Sequence, residues 1–409
     1  MANRWIVVLG SIIMQLSLGA IYTWSLFNAP LVETFGWDPG ATVFTFSVTL
    51  VCFALAINIA GSIQDKIGPR KVATAGGILT GLGVAASAFA TTPTMLYITY
   101  GIIAGLGIGA AYVTPLASCI KWFPEKRGLI TGLVLAALGV GGMVFKPIIL
   151  WFIMNVGVST AFLYLGMIYG ALIITGAQLL AVPPADYKPP GWSPPAPAWG
   201  GSFVPGLRNF TMAEAIKTPQ LYMLFLWMYI VAASGLMVIS VAANIGIEMA
   251  GLSLATAGNA VVSFSLFNAA GRLGLGGISD RFGRRTSIMF IFVLMGLGLL
   301  ILSLTSLTYA TLLLATCMVG FAFGGMAPIL PTLTAEWFGT VNVGNNYGTI
   351  FIFYALAALT APRLPIAIGF EAAFLVGASA CALGFAVAFM SKPPKAHLGG
   401  TTKTTSARK

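Results

Sequence analysis

Long apolar stretches alternate with short polar ones along the whole chain, and this alternation predicts its architecture. Each apolar stretch holds about 20 residues, enough for a helix to cross a hydrocarbon core roughly 30 Å thick. We number the twelve predicted helices one to twelve in chain order. They cover residues 6–27, 41–62, 72–92, 95–118, 129–154, 159–182, 220–245, 254–279, 287–306, 309–334, 346–368 and 370–391. The pattern therefore predicts an all-α membrane protein with twelve transmembrane helices.

Composition and charge placement agree with this prediction. Hydrophobic residues make up 58% of the chain and charged residues 8%, against roughly 25% charged residues in soluble domains. The net charge is +11, and all but three of the 21 Lys and Arg residues lie at the termini or in residues 66–71, 121–127, 183–219 and 281–285. This positive-inside bias predicts that both termini are cytoplasmic, and it explains the basic composition without a nucleic-acid partner.

The chain resembles itself at an offset of 215 residues. GSIQDKIGPRK at 61–71 aligns with GGISDRFGRRT at 276–286, and GLGIGAAYVTPLASCIKWF at 105–123 aligns with GFAFGGMAPILPTLTAEWF at 320–338. The sequence thus predicts two six-helix bundles, residues 1–182 and 220–391, as parallel repeats. Residues 183–219 are rich in Pro and Gly and predict a cytoplasmic linker, ending in a short helix capped by Thr211 and Glu214. Residues 392–409 are interpreted as a cytoplasmic tail or an added segment.

The paired loops after helices two and eight resemble the signature of the major facilitator superfamily. The resemblance covers all twelve predicted helices and implies a carrier whose halves rock around a central site. It also implies a cytoplasmic gate motif at Asp65 and Arg70 and at Asp280 and Arg285, in which the two aspartates latch helix ends.

Two further segments carry a narrower resemblance. WFPEKRGLITGLVLAALGVG at 122–141 resembles the fifth-helix motif of monocarboxylate transporters, and GAIYTWSLFNAPLVETFG at 19–36 resembles the first helix of the oxalate:formate antiporter group. The chain is therefore identified as a bacterial monocarboxylate transporter homologue, which implies an inner-membrane location.

A stripe of polar residues follows one face of predicted helix eight. Val261, Ser265, Asn268, Arg272 and Ser279 fall close together at 100° per residue. A charge at the depth of Arg272 costs at least about 2.5 to 3.5 kcal/mol, so its side chain should face water or a partner. All ten acidic residues lie in loops or at helix ends. A substrate anion is therefore the preferred partner, although an acid from a helix end could instead fold inward.

The resemblance implies the same role for Arg272, because both related families bind substrate through an arginine at this position. The acid that these families use for proton coupling corresponds to Asn268 here, and a first-helix lysine corresponds to Leu26. By this correspondence Asn268 and Leu26 are also predicted to contact the substrate. Tyr354 stands where the oxalate carrier has a second cation, which favours a monoanionic substrate. A coupled proton could reside on the substrate, beside Asn268, or on an acid at a helix end such as Glu33 or Glu336.

Other residues in the predicted helices are less specific. Tyr22, Tyr112, Phe323, Phe351 and Tyr354 lie near helix midpoints and could line the site or simply pack in the core. The glycines of helix four, Gly101, Gly105 and Gly109, are expected to serve close helix packing rather than substrate contact. Lys146 and Arg363 are expected at the outer rim.

No enzymatic or metal-binding pattern is evident in the sequence. The four cysteines have no paired spacing, the single histidine lies in the tail, and the helices hold no nucleophile–base pair. We expect a monomeric secondary transporter without a cofactor, moving a short-chain monocarboxylate such as lactate or pyruvate with a proton. An exchanger of organic anions is the alternative, and efflux of lipophilic drugs would not require Arg272.

Overall fold

The computed structural model describes residues 4–123, 127–184, 187, 209–339 and 343–394. Most of the predicted linker and of the predicted tail lies outside these residues. All regular secondary structure in the described residues is helical, which confirms the predicted fold class. Eleven candidate spans account for the twelve predicted helices, because the span Gly132–Gln178 turns at Gly157 and contains helices five and six.

The observed helices match the predicted ones closely, and several are broken into segments. Helices one to six comprise Arg4–Leu18 with Gly19–Thr23 and Ser25–Phe35, then Pro39–Ile67, Pro69–Ala86, Pro93–Leu96 with Tyr97–Ala104 and Gly105–Trp122, and the continuous Arg127–Gln178. Met212–Ala215 forms the predicted short helix. Helices seven to twelve comprise Pro219–Ser240 with Ala242–Ala250, Leu254–Ala257 with Asn259–Phe282, Arg284–Leu304, Tyr309–Phe338, Val343–Thr360 with Leu364–Ile368, and Phe370–Met390.

Helix ends repeat between the two halves at the offset found in the sequence. Gly36 and Gly251 end the last segments of helices one and seven with φ 65° and 62°, a left-handed conformation that glycine adopts without strain. Gly68 and Gly283 join helices two to three and eight to nine with φ 90° and 88°. Matched backbone angles at matched positions support the prediction of two structural repeats.

Helix packing inside the halves is repeated in the same way. A Cβ on Gly105 would lie 2.7 Å from the carbonyl oxygen of Thr49, and a Cβ on Gly320 would lie 2.5 Å from that of Phe264. Gly101 and Gly109 also face helix two, at Val48 and Phe53. Because these glycines contact backbone and small neighbouring groups, the predicted packing role of the helix-four glycines is confirmed.

The halves meet along two helix pairs, five with eight and two with eleven. Gly139 of helix five approaches Ala269 of helix eight so closely that a Cβ would lie 2.9 Å from the Ala269 backbone nitrogen. The side of the protein that holds Arg4 and Pro394 is called the terminal face, and the opposite side the distal face. Helices five, eight, two and eleven therefore frame a space between the halves that runs between these faces.

Candidate functional site

A cavity of about 360 Å³ lies between the two halves. Residues of helices one, two, four, five, seven, eight, ten and eleven contribute to its wall: Tyr22, Phe53, Ile57, Tyr112, Leu116, Leu135, Leu138, Met228, Val231, Ala232, Arg272, Phe323, Met326, Ala327, Leu330, Pro331, Tyr347, Gly348, Phe351 and Tyr354. The wall is mainly apolar and aromatic, with a small number of hydroxyl groups. A cavity of this size and character suits a small organic molecule.

Arg272 is the one charged residue among the described residues that line the cavity. Its Nε donates to Asn268 Oδ1 at 3.0 Å, and its Nη2 donates to Tyr22 OH at 3.4 Å. Nη1 is buried and has no acceptor within the described part of the chain. No described carboxylate forms an ion pair with this guanidinium. Neutral groups therefore orient the guanidinium of Arg272, and its remaining N–H groups can donate hydrogen bonds to an anion.

Asn268 lies one helical turn before Arg272 and accepts the hydrogen bond from its Nε. Its side chain is fully buried, and its Nδ2 has no hydrogen-bond partner among the residues that the structure describes. The backbone at this point is fixed from outside, because Gly324 of helix ten packs directly on the carbonyl oxygen of Asn268. Asn268 thus positions the guanidinium without lining the cavity itself.

All five predicted aromatic wall residues line the cavity. The ring of Tyr354 stacks on that of Phe351, with centroids 4.9 Å apart and planes at 13°. Tyr112 meets Phe53 edge to face at 5.2 Å. Tyr22 and Tyr112 come from the first half and Tyr354 from the second, so hydroxyl-bearing rings from both halves share the cavity with Arg272.

Leu26 lies outside the cavity. It is fully buried in the distal segment of helix one, next to Gly258, and does not line the cavity. The two predicted rim cations also lie outside the cavity. Lys146 donates to Asn259 Oδ1, and the guanidinium of Arg363 lies 4.7 Å from the ring centroid of Phe44.

Sequence reasoning missed several wall residues. Phe53 and Ile57 are the repeat counterparts of Asn268 and Arg272 at the same offset of 215 residues, so the internal repeat carried the signal for both. Tyr347 is also part of the wall. Nothing in the local sequence around Tyr347 distinguishes a wall aromatic from a packed one.

Of the four residues in the predicted gate motif, the structure describes the side chains of the two arginines. Arg70 Nε donates to the carbonyl oxygen of Leu180 at the end of helix six, at 3.2 Å, and Arg285 Nε donates to that of Ala388 in helix twelve, at 3.0 Å. The side chains of Asp65 and Asp280 lie outside the described set. Arg70 and Arg285 thus connect the first turns of helices three and nine to the terminal-face ends of helices six and twelve.

Several contacts between described residues join the halves at the distal face. Asn28 Nδ2 donates to the carbonyl oxygen of Ser240 at 2.9 Å, so the two broken helices, one and seven, are joined there. The Lys146 bond to Asn259 and the contact of Arg363 with Phe44 also cross between the halves. These contacts close the distal end above the cavity.

Comparison with known proteins identifies the family to which the chain is related. The Major Facilitator Superfamily model matches residues 7–248 and 225–407. The uncharacterized MFS-type transporter YhjX of Escherichia coli (strain K12) is 34% identical over 87% of this chain and 86% of its own length. The oxalate:formate antiporter of Oxalobacter formigenes is 28% identical over 95% and 91% of the two chains. Monocarboxylate transporter 13 of Rattus norvegicus is 28% identical over 43% and 41%.

These matches agree with the helical fold and with the repeat of helix ends and packing contacts. They confirm the predicted kinship to the monocarboxylate and oxalate:formate groups, and they indicate a transporter rather than an enzyme. The chain belongs to the Major Facilitator Superfamily and is a multi-pass membrane transporter of that family.

Proposed function

We propose that this transporter carries short-chain monocarboxylates of the lactate or pyruvate type together with a proton, and that Arg272 binds the carboxylate. The observation that carries this proposal is the isolated guanidinium in an apolar cavity. Arg272 has a buried Nη1 that finds no acceptor among the described residues, and no described carboxylate is its partner. A substrate carboxylate would supply both the missing acceptor and the missing negative charge.

A single cation favours a single negative charge on the substrate. Tyr354 lines the cavity at the position where the resemblance places a second cation in carriers of dianions. The tyrosine hydroxyls of the wall can accept or donate hydrogen bonds to a carbonyl or hydroxyl group of a short acid. The apolar remainder of the wall suits its methyl end.

We infer a transport cycle in which the two halves, residues 1–182 and 220–391, rock around this cavity. The distal contacts would separate when the other end closes. The positive-inside bias favours a terminal face in the cytoplasm. We further propose that the protein lies in the inner membrane of a bacterium and functions as a monomer.

Uptake by reconstituted vesicles tests the proposal. Purified protein in vesicles is given radiolabelled lactate, pyruvate, formate, oxalate and a lipophilic cation, with a pH-sensitive dye inside. We expect saturable uptake of monocarboxylates with acidification of the lumen. Uptake of the lipophilic cation without uptake of any acid would refute the proposal.

An anion exchanger of the oxalate:formate type is the second candidate. It is favoured by the 28% identity to the oxalate:formate antiporter over 95% of this chain. The same vesicles separate the two functions, because an exchanger transports labelled acid only when the lumen is loaded with a second anion. A proton symporter needs no internal anion.

A further inference from the structure

A second cavity, of about 150 Å³, lies at the distal face between the halves, and we call it the distal cavity. It shares no lining residue with the cavity around Arg272. Its wall includes Glu33 and Asn28 from helix one and Glu248 and Asn244 from helix seven. One exposed glutamate from each half therefore lines the same small space.

The two carboxylates occupy equivalent positions in the repeat. Glu33 lies in the last turn of Ser25–Phe35 before Gly36, and Glu248 lies in the last turn of Ala242–Ala250 before Gly251. A helix C-terminus carries partial negative charge, so a carboxylate there is electrostatically unfavourable. Both halves nevertheless place one there. The ends of the two helices and the two side chains together concentrate negative charge at the distal cavity.

No Lys or Arg is among the described residues that line the distal cavity. No Lys or Arg in the described part of the chain forms an ion pair with either carboxylate. Glu248 Oε1 accepts a bond from the neutral Asn244 Nδ2, at 3.4 Å. The distal cations have other partners, since Lys146 binds Asn259 and Arg363 lies over the Phe44 ring.

Asn28 supplies an independent sign that the distal cavity holds a ligand. Its side chain is only 2% exposed, and its Nδ2 donates to Ser240 O at 2.9 Å and to Asn244 Oδ1 at 3.2 Å. These two acceptors fix the orientation of the amide. Its Oδ1 is left buried without a donor from any described residue. Carboxylates cannot donate to this oxygen when ionised, whereas a cation would satisfy it together with them.

We propose that the distal cavity binds a hard divalent cation, of which Ca²⁺ is the preferred example, through Glu33, Glu248 and Asn28 Oδ1. Carboxylate and amide oxygens are the ligands of such ions, and the two carboxylates match the charge of a divalent ion. Water completes the coordination. Because the ligands come from both halves, a bound ion stabilises the conformation that is closed at the distal face.

Thermal unfolding of the purified full-length protein tests the site without any transport substrate. The protein is heated in about 10 mM CaCl₂ and, separately, in NaCl of equal ionic strength. This Ca²⁺ concentration exceeds the Kd of extracellular calcium sites, which is about 0.1–1 mM. We expect Ca²⁺ to raise Tm by about 2 °C or more in the wild type. The rise is expected to disappear in Glu33→Gln and in Glu248→Gln.

Glu371→Gln is the matched control, because Glu371 is an exposed distal carboxylate outside the distal cavity. It should keep the wild-type response to Ca²⁺. An equal rise in all variants, or no rise in the wild type, overturns the proposal. If a variant does not purify, calorimetric titration of the wild type with CaCl₂ tests the site instead. We expect a saturable binding heat at one Ca²⁺ ion per protein. The absence of this heat excludes the site.

Discussion

Arg272 Nε donates to Asn268 Oδ1 at 3.0 Å, across one turn of helix eight. The acceptor is neutral, so it orients the guanidinium without cancelling its charge. A carboxylate at residue 268 would both orient the guanidinium and cancel its charge. This pairing explains how a single arginine can remain available to an anionic substrate in an apolar cavity, and it leads directly to the first predictions.

Replacing Arg272 should remove substrate binding. A hydrogen bond to a charged group contributes about 1.5–3 kcal/mol, so Arg272→Gln should weaken carboxylate binding by at least about tenfold for each bond lost. Arg272→Lys keeps the charge but loses the planar fork, and an intermediate loss is expected. Uptake of labelled monocarboxylate by vesicles measures the effect.

Arg363→Gln is the control variant, because it also replaces an arginine by glutamine and removes one positive charge. Arg363 lies over Phe44 at the distal face and does not line the cavity. Its variant should retain the wild-type affinity for monocarboxylate. Normal uptake by Arg272→Gln would exclude Arg272 as the binding group.

Tyr354→Lys should shift selectivity from monocarboxylates toward dicarboxylates. Tyr354 shares the cavity with Arg272, so a lysine there would add a second cation to the same space. We expect the affinity ratio of oxalate to lactate, measured by competition against a labelled acid, to rise by about tenfold or more. Tyr354→Phe removes the hydroxyl without adding charge, and its ratio should stay near the wild-type value. An unchanged ratio in folded Tyr354→Lys protein would show that this position does not control substrate charge.

The main features of the fold and of the site could be predicted from sequence because each rests on a local physical constraint. Hydrophobic length determines the helices, and the depth of Arg272 in a predicted helix marks it as the candidate binding cation, which the structure places in the wall of the central cavity. The internal repeat aligned Gly105 with Gly320, and the structure shows that each packs closely on the backbone of a neighbouring helix. Such signals do not depend on knowing how the helices bend.

The placement of Leu26 could not be predicted in this way. A helical wheel assumes a straight helix, whereas helix one changes to a tighter 3₁₀ turn at Gly19–Thr23 before continuing at Ser25. The break changes the direction in which later residues face, and Leu26 packs beside Gly258 instead of the cavity. Tyr347 escaped prediction for a related reason, since only the orientation of helix eleven distinguishes a wall aromatic from a core aromatic.

Asn268→Asp should make transport more sensitive to pH. An ionised carboxylate one turn from Arg272 would pair with the guanidinium and compete with the substrate. Lower pH protonates this carboxylate and relieves the competition, so apparent substrate affinity should increase as pH falls. Measuring affinity at several pH values tests this expectation. Asn268→Ala removes the hydrogen bond without adding a titratable group, and a pH dependence equal to that of Asn268→Asp would contradict the explanation.

Proton coupling should survive neutralisation of either acid at a helix end. Glu336 Oε1 accepts from Arg284 Nε at 3.0 Å, which gives it a structural role at the terminal face, and Glu33 lies at the distal cavity. Neither lines the cavity around Arg272. In Glu33→Gln and Glu336→Gln, substrate addition should still acidify vesicles if, as we propose, neither carboxylate holds the coupling proton. Loss of acidification with substrate binding retained, in either variant, would assign the coupling proton to that carboxylate.

Gly324→Ala should destabilise the protein and disturb the substrate site together. A methyl group at residue 324 would collide with the carbonyl oxygen of Asn268, so helix ten would have to move away from helix eight. Overpacking of this kind costs about 1–3 kcal/mol, and we expect Tm in detergent to fall by several degrees. Gly277→Ala provides the comparison, because a Cβ there meets no heavy atom within 4 Å. Its Tm should be unchanged or higher, since alanine favours the helix over glycine. Equal Tm values for the two variants would show that close packing of Gly324 on Asn268 does not hold this part of the second half together.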